Sequence, residues 1–292
     1  MKKFLSVVLM LAMALCALSA VAEWDASKAI AVVSREEGSG TRGAFVELTK
    51  VEAKNDKGEK IDHTYEEAII ANNTATVLTT VAGNEYAIGY ASMASVEGND
   101  TVKALKVAGV EATTENILNK TYSIARPFNI VTKGELTDEL AKDFYAFIMS
   151  KEGQQVITDN KAISVVTDAT PSYKAAGLKG KLVVGGSSSV SPVMEKLKEA
   201  YVALNPDADI ELQTTDSTSG VTNALNGTYG IGMASRELKD SEVKNGAVGT
   251  VIAMDGICVV VHPANPTDSV ELEQVRQIFV GEVTSWENLA KK

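Results

Sequence analysis

Short β-branched runs alternate with amphipathic runs along this chain, and that alternation limits its fold more than any other feature. Ala29-Ile30-Ala31-Val32-Val33 reads as a strand, a Gly-rich turn follows, and a helix opens near Thr41. Tyr86 to Tyr90 and Phe128 to Val131 read as further strands. Thr137 is a candidate cap for a helix that places Leu140, Phe144, Phe147 and Ile148 on one face. Lys181 to Val184 is a strand ending at Gly185-Gly186; Ser191 then reads as a cap with Pro192 at the first helical position. Ile210 to Gln213, Ile231 to Met233 and Val251 to Val261 supply more strand. Strand, polar turn, helix and strand again imply an α/β fold with a mostly parallel sheet. Residues 158–180 are polar and weakly patterned, and read as a surface linker.

Three of the strand-to-helix turns are rich in hydroxyls and glycine. The longest is Ser34-Arg35-Glu36-Glu37-Gly38-Ser39-Gly40-Thr41-Arg42-Gly43-Ala44-Phe45. Glycine lets the backbone approach a ligand, and the free N–H groups of a first helical turn point at an anion with the helix dipole behind them. Ser39 and Thr41 add hydroxyls, and Arg35 offers a planar fork for an oxyanion. Gly186-Ser187-Ser188-Ser189 and Thr215-Asp216-Ser217-Thr218-Ser219-Gly220 have the same character. Such residues are also ordinary cap and turn formers; it is their repetition that suggests convergence on one anion.

Other chemistries fit poorly. Gly38, Gly40 and Gly43 match G-x-G-x-x-G, but Ser34 to Glu37 separate the first glycine from its strand, unlike a dinucleotide fold. No Gly-Lys-Ser/Thr run marks a phosphate-binding loop of the nucleotide-hydrolase type. His63 and His262 lie in settings that suggest surface residues, which leaves a serine hydrolase without an evident base. Two His and two Cys give little for a metal centre or a disulfide framework. A formal charge of −10 argues against non-specific nucleic-acid binding.

Lys2 and Lys3 precede an uncharged stretch from Phe4 to Ala22 that ends in Ala20-Val21-Ala22. This reads as a secretory signal peptide over residues 1–22, so the expected location is periplasmic or extracellular. Cys16 offers a possible lipid-anchor position, disfavoured by the bulk of Leu15 before it. Cys258 would then be the one mature thiol, flanked by Ile257 and Val259 in the manner of a buried core residue.

The Ser34 to Phe45 run resembles the substrate-binding proteins of bacterial phosphate ABC importers. So do 186–197 (Gly-Ser-Ser-Ser-Val-Ser-Pro-Val-Met-Glu-Lys-Leu), 232–238 (Gly-Met-Ala-Ser-Arg-Glu-Leu), 255–261 (Asp-Gly-Ile-Cys-Val-Val-Val) and 279–286 (Phe-Val-Gly-Glu-Val-Thr-Ser-Trp). The resemblance implies an α/β, two-lobed periplasmic-binding-protein fold of type II, closing on inorganic phosphate without catalysis or cofactor. Carried over by motif, Arg35, Ser39, Gly40 and Thr41 would hold the anion from one lobe, and Ser188, Ser189 and Ser217 from the other, with Arg236 beside them. Some family members place an acidic residue at the Arg236 position, where it accepts the proton of hydrogen phosphate; Glu37 or Asp216 would have to serve here.

The segment order differs from the usual family order, in which the Gly-Ser-Ser-Ser region comes first. The chain therefore looks circularly permuted, or derived from a duplicated gene cut in the middle. Crossings between lobes are expected near Tyr122 to Pro127 and His262 to Pro266. One lobe would then comprise 23–122 completed by 268–292, and the other 123–267. The implied function is an exported, monomeric solute-binding protein that delivers phosphate to a membrane ABC permease. A binding protein for sulfate, molybdate or another tetrahedral oxyanion, a secreted serine-based hydrolase, and an adhesion or sensory protein that keeps the fold without transport are the rival readings.

Overall fold

The computed structural model describes residues 24–289; the expected signal peptide and Cys16 lie outside the described residues. One ten-stranded sheet runs through the molecule. Its main strands are β1 (Ala31–Arg35), β2 (Ile69–Ala71), β3 (Ala87–Ser92), β4 (Ala125–Lys133), β5 (Gly180–Ser187), β6 (Ala208–Thr215), β7 (Ile231–Ala234) and β8 (Ala247–Val261). In space their order is β6-β5-β7-β4-β8-β3-β1-β2. The principal helices are α1 (Gly40–Leu48), α2 (Thr74–Ala82), α3 (Glu139–Ile148), α4 (Lys151–Asp159), α5 (Ser191–Leu204), α6 (Ser217–Asn226), α7 (Asp240–Lys244) and α8 (Leu272–Phe279).

The expected mostly parallel sheet needs correction. The flanks are parallel, with β1 beside β2 and β3 and with β5 beside β6 and β7. The middle is antiparallel: β7 on β4, β4 on β8 and β8 on β3. The reason lies in β4 and β8, which run in opposite directions between the two flanks and tie them together.

Apolar side chains gather on either side of that tie. One cluster takes Val32, Val33, Phe45, Val77, Ile88, Tyr90 and Ile124 from the first part of the chain, then Ile257 to Val261, Val275, Ile278, Phe279 and Trp286 from its end. A second holds Phe128, Ile130, Phe144, Phe147, Val184, Leu197, Tyr201, Ile231, Met233 and Ile252, and a small third beside it holds Val131, Val221, Ala224, Ala234 and Ala247. Phe279 packs edge-on against Phe45 at 4.8 Å between ring centres, and Trp24 meets Trp286 at 6.0 Å. Ile30 N–H donates to Thr284 C=O at 2.8 Å, so the two ends of the described chain meet on one face.

Helix starts follow local chemistry, with two departures from the sequence reading. Asp138, not Thr137, caps α3, its carboxylate accepting from Ala141 N–H at 2.8 Å. Ser191 is already helical and caps nothing; its hydroxyl donates back to Ser187 C=O at 3.1 Å, while Pro192 occupies the first turn. Ser39 caps α1 and Asp216 caps α6, accepting from Arg42 and Ser219 N–H respectively. Among the described residues no helix is long and apolar enough to cross a membrane. His63 is exposed and His262 half-buried, while Cys258 is buried and its thiol is held well above its ordinary pKa by burial.

Candidate anion site

The carboxyl end of β1 delivers Arg35 into the interior, where it is 2% exposed. Its backbone is anchored by Tyr90, whose hydroxyl accepts from Arg35 N–H at 3.2 Å and bonds Ser34 Oγ at 2.9 Å. Burial pushes the Tyr90 phenol up to about 12, so it stays protonated in this role. The Arg35 fork is then divided. Nε and Nη2 grip the Glu36 carboxylate at 2.7 and 2.6 Å, Nη2 also donates to Ser188 Oγ at 3.1 Å, and Nη1 to Thr74 Oγ1 at 3.3 Å.

Hydroxyls complete the cluster. Thr41 Oγ1 lies 2.8 Å from Ser189 Oγ, and Thr74 Oγ1 lies 3.0 Å from the same atom. Thr74 N–H donates to Ser188 Oγ at 3.3 Å. Ser217 Oγ accepts from Ser235 N–H at 3.0 Å and faces Gly40 so closely that a methyl group added there would overlap it. Gly38 C=O accepts from both Thr218 N–H and Thr218 Oγ1 at 3.1 Å. Gly38 has φ +87°, a left-handed conformation that glycine adopts without strain.

Four helices begin here: α1 at Gly40, α2 at Thr74, α5 at Ser191 and α6 at Ser217. Each aims the positive end of its dipole here, the arrangement that favours an anion. Buried hydroxyls from both flanks of the sheet surround the point where they meet. Arg35 adds charge-assisted donors, which are the strong ones.

Seven of the eight residues expected from sequence thus come together: Arg35, Ser39, Gly40, Thr41, Ser188, Ser189 and Ser217. Arg236 does not join them. Its fork is bidentate on Glu242 at 2.7 and 2.8 Å, with Nη2 touching only Thr218 Oγ1 at 3.3 Å on the site side. Asp216 is likewise occupied by its capping bonds to Ser219, and Glu37 is exposed. Arg42 turns to Asp62 at 2.7 Å and to Arg35 C=O at 2.9 Å.

Sequence reasoning missed Thr74, Ser235, Arg126 and Asp255. Thr74 follows Asn72-Asn73 between a strand and a helix, a hydroxyl at a helix start without the glycine that marks the other three turns. Arg126 and Asp255 form a buried ion pair at 3.1 Å. The signal for them was a lone charge inside each of two apolar strand runs.

Comparison with known proteins identifies the family. The family model described as PBP superfamily domain matches residues 10–152 and 171–292. Phosphate-binding protein PstS 2 of Streptococcus agalactiae serotype V is 50% identical over 262 residues, covering 90% of this chain and 88% of that protein. Phosphate-binding protein PstS 2 of Streptococcus pneumoniae serotype 4 is 45% identical over 271 residues, covering 93% and 91%. The crystal structure of a phosphate ABC transporter phosphate-binding protein from Streptococcus pneumoniae TIGR4 superposes with a TM-score of 0.71 at 45% identity, over 90% of this chain and all of that one. The fold is accordingly the two-lobed one of those proteins, and the chain belongs to the PBP superfamily, in the family of the phosphate-binding proteins PstS.

Proposed function

We propose that the protein is an exported, non-enzymatic solute-binding protein that captures inorganic phosphate between its lobes and delivers it to an ABC import permease. The observation that carries this reading is the meeting of four helix starts, the Arg35 fork and hydroxyls from both flanks of the sheet at one buried point. The anion contacts are Arg35, Ser39, Gly40 and Thr41 from one lobe and Ser188, Ser189 and Ser217 from the other, joined by Thr74. Arg236 supports Thr218 and Glu242 from behind.

The two larger apolar clusters support a lobe division close to the one expected, with one shift. Ile257 to Val261 pack with the first cluster, so the second crossing falls at Gly256-Ile257. One lobe then comprises residues up to Ile124 with 257 to the end, and the other comprises 125–256. The meeting of the two ends of the described chain supports a permuted segment order, because a permutation opens a continuous chain and leaves its new ends as neighbours.

Calorimetric titration of ligand-stripped protein with phosphate, arsenate and sulfate tests the reading. Phosphate and arsenate are expected to bind. Sulfate binding of equal strength would give the site to tetrahedral oxyanions in general, and no heat with any of the three would refute it.

A further inference from the structure

We propose that Arg126 is a positioning residue that, with Asp255, clasps the two halves of the anion site at the strand crossing. The two residues are directly opposed in the β4–β8 ladder, next to the point where both strands pass from one core to the other. Arg126 Nε and Nη2 face Asp255 Oδ2 at 3.4 and 3.1 Å. The other Asp255 oxygen accepts from Ser92 Oγ at 2.8 Å and Ala94 N–H at 3.3 Å. That leaves Nη1, which donates in two directions: to Thr41 Oγ1 at 2.7 Å and to Ser235 C=O at 2.8 Å.

These bonds have two consequences. Thr41 belongs to the turn on one flank and Ser235 to the loop after β7 on the other, so one nitrogen ties both walls of the site together. A guanidinium also has no acceptor. The Thr41 oxygen must therefore receive from Arg126, which occupies one of its two lone pairs and leaves the hydroxyl proton to be shared with Ser189 Oγ or given to a group between the walls. Arg126 thereby holds the Thr41 hydroxyl in place beside an anion that the guanidinium itself need not touch. Lysine cannot reproduce this, because its single nitrogen lacks the rigid fork that serves Asp255, Thr41 and Ser235 at once.

The affinity arm of the test rests on the phosphate reading; the distance arm does not. In the mature chain, Lys57→Cys and Lys244→Cys carry a fluorophore pair, one on each flank, and energy transfer reports wall separation without ligand. Arg126→Lys is expected to shift the population toward longer distances and to raise the phosphate Kd about tenfold. In a Thr41→Val background the same substitution should change Kd less than about twofold, since the group it acts through is gone. Arg126→Met with Asp255→Leu removes both buried charges and serves as the second variant should Arg126→Lys fold poorly; the same opening is expected. Unchanged distances, or an equal affinity loss with and without Thr41, would overturn the clasp. If the unsubstituted protein binds no phosphate, the functional reading falls and the distances alone decide.

Discussion

At Gly40 a hydrogen stands where any other residue carries a β-carbon, and Ser217 Oγ occupies the adjoining space. The approach of the two walls is therefore set by one missing atom. Gly40→Ala is expected to weaken phosphate binding more than tenfold while leaving the circular dichroism spectrum intact, because the methyl would hold α1 and α6 apart. Arg35 and Arg42 are separated by their surroundings although both are arginines of one turn. Arg35→Ala removes charge-assisted donors and should cost about 1.5–3 kcal/mol of binding by calorimetry. Arg42→Ala, which loses bonds to Asp62 and a backbone carbonyl, should cost about 0.5 kcal/mol or less. Equal losses would mean that the turn faces the anion differently from the geometry described.

The Arg236–Glu242 pair links the loop after β7 to α7, and its effect should be visible in pH. Burial raises the Glu242 carboxyl, but bonds from the Arg236 fork and Lys239 N–H outweigh it, leaving the group below its ordinary 4.5. A carboxylate depressed in the folded state contributes stability that is complete above its unfolded value and lost as pH falls through the folded one. Glu242→Gln should therefore lower stability by about 1 kcal/mol at neutral pH, the upper end for a partly exposed pair. Denaturant titrations should show the difference closing as the pH drops below the ordinary carboxyl range. At this scale much was legible in the sequence. The helix over Ser191–Leu204 shows its apolar spacing, and hydroxyl-glycine turns announce themselves locally. Boundaries were less so, because Thr137 and Asp138 are both competent caps and only burial of Leu140, Ala141 and Phe144 chooses between them. The antiparallel centre and the Arg126–Asp255 pair depend on partners far apart in the chain, 129 residues for the pair, which local spacing does not encode.

For the whole molecule, the two ends of the described chain are neighbours, with Ala29 bridged to Ser285. A chain that joins its carboxyl end to Trp24 through a Gly/Ser linker, and opens within 165–179, is expected to fold and to bind phosphate within a few-fold of the parent. Those opened residues are irregular and mostly exposed, so cutting them breaks few buried bonds. A chain that fails to fold would show that 165–179 is more than a connection. A different consequence follows from β8, whose Ile252 and Ala253 lie in one core and whose Ile257 to Val261 lie in the other. Neither core can come apart while this strand keeps its place in both. Heating should therefore melt the mature protein in one transition, with calorimetric and van't Hoff enthalpies equal, although a chain of this size more often melts in stages. Two separate heat-capacity peaks would mean that the strand yields at Gly256 first, and that each half survives the loss of the other.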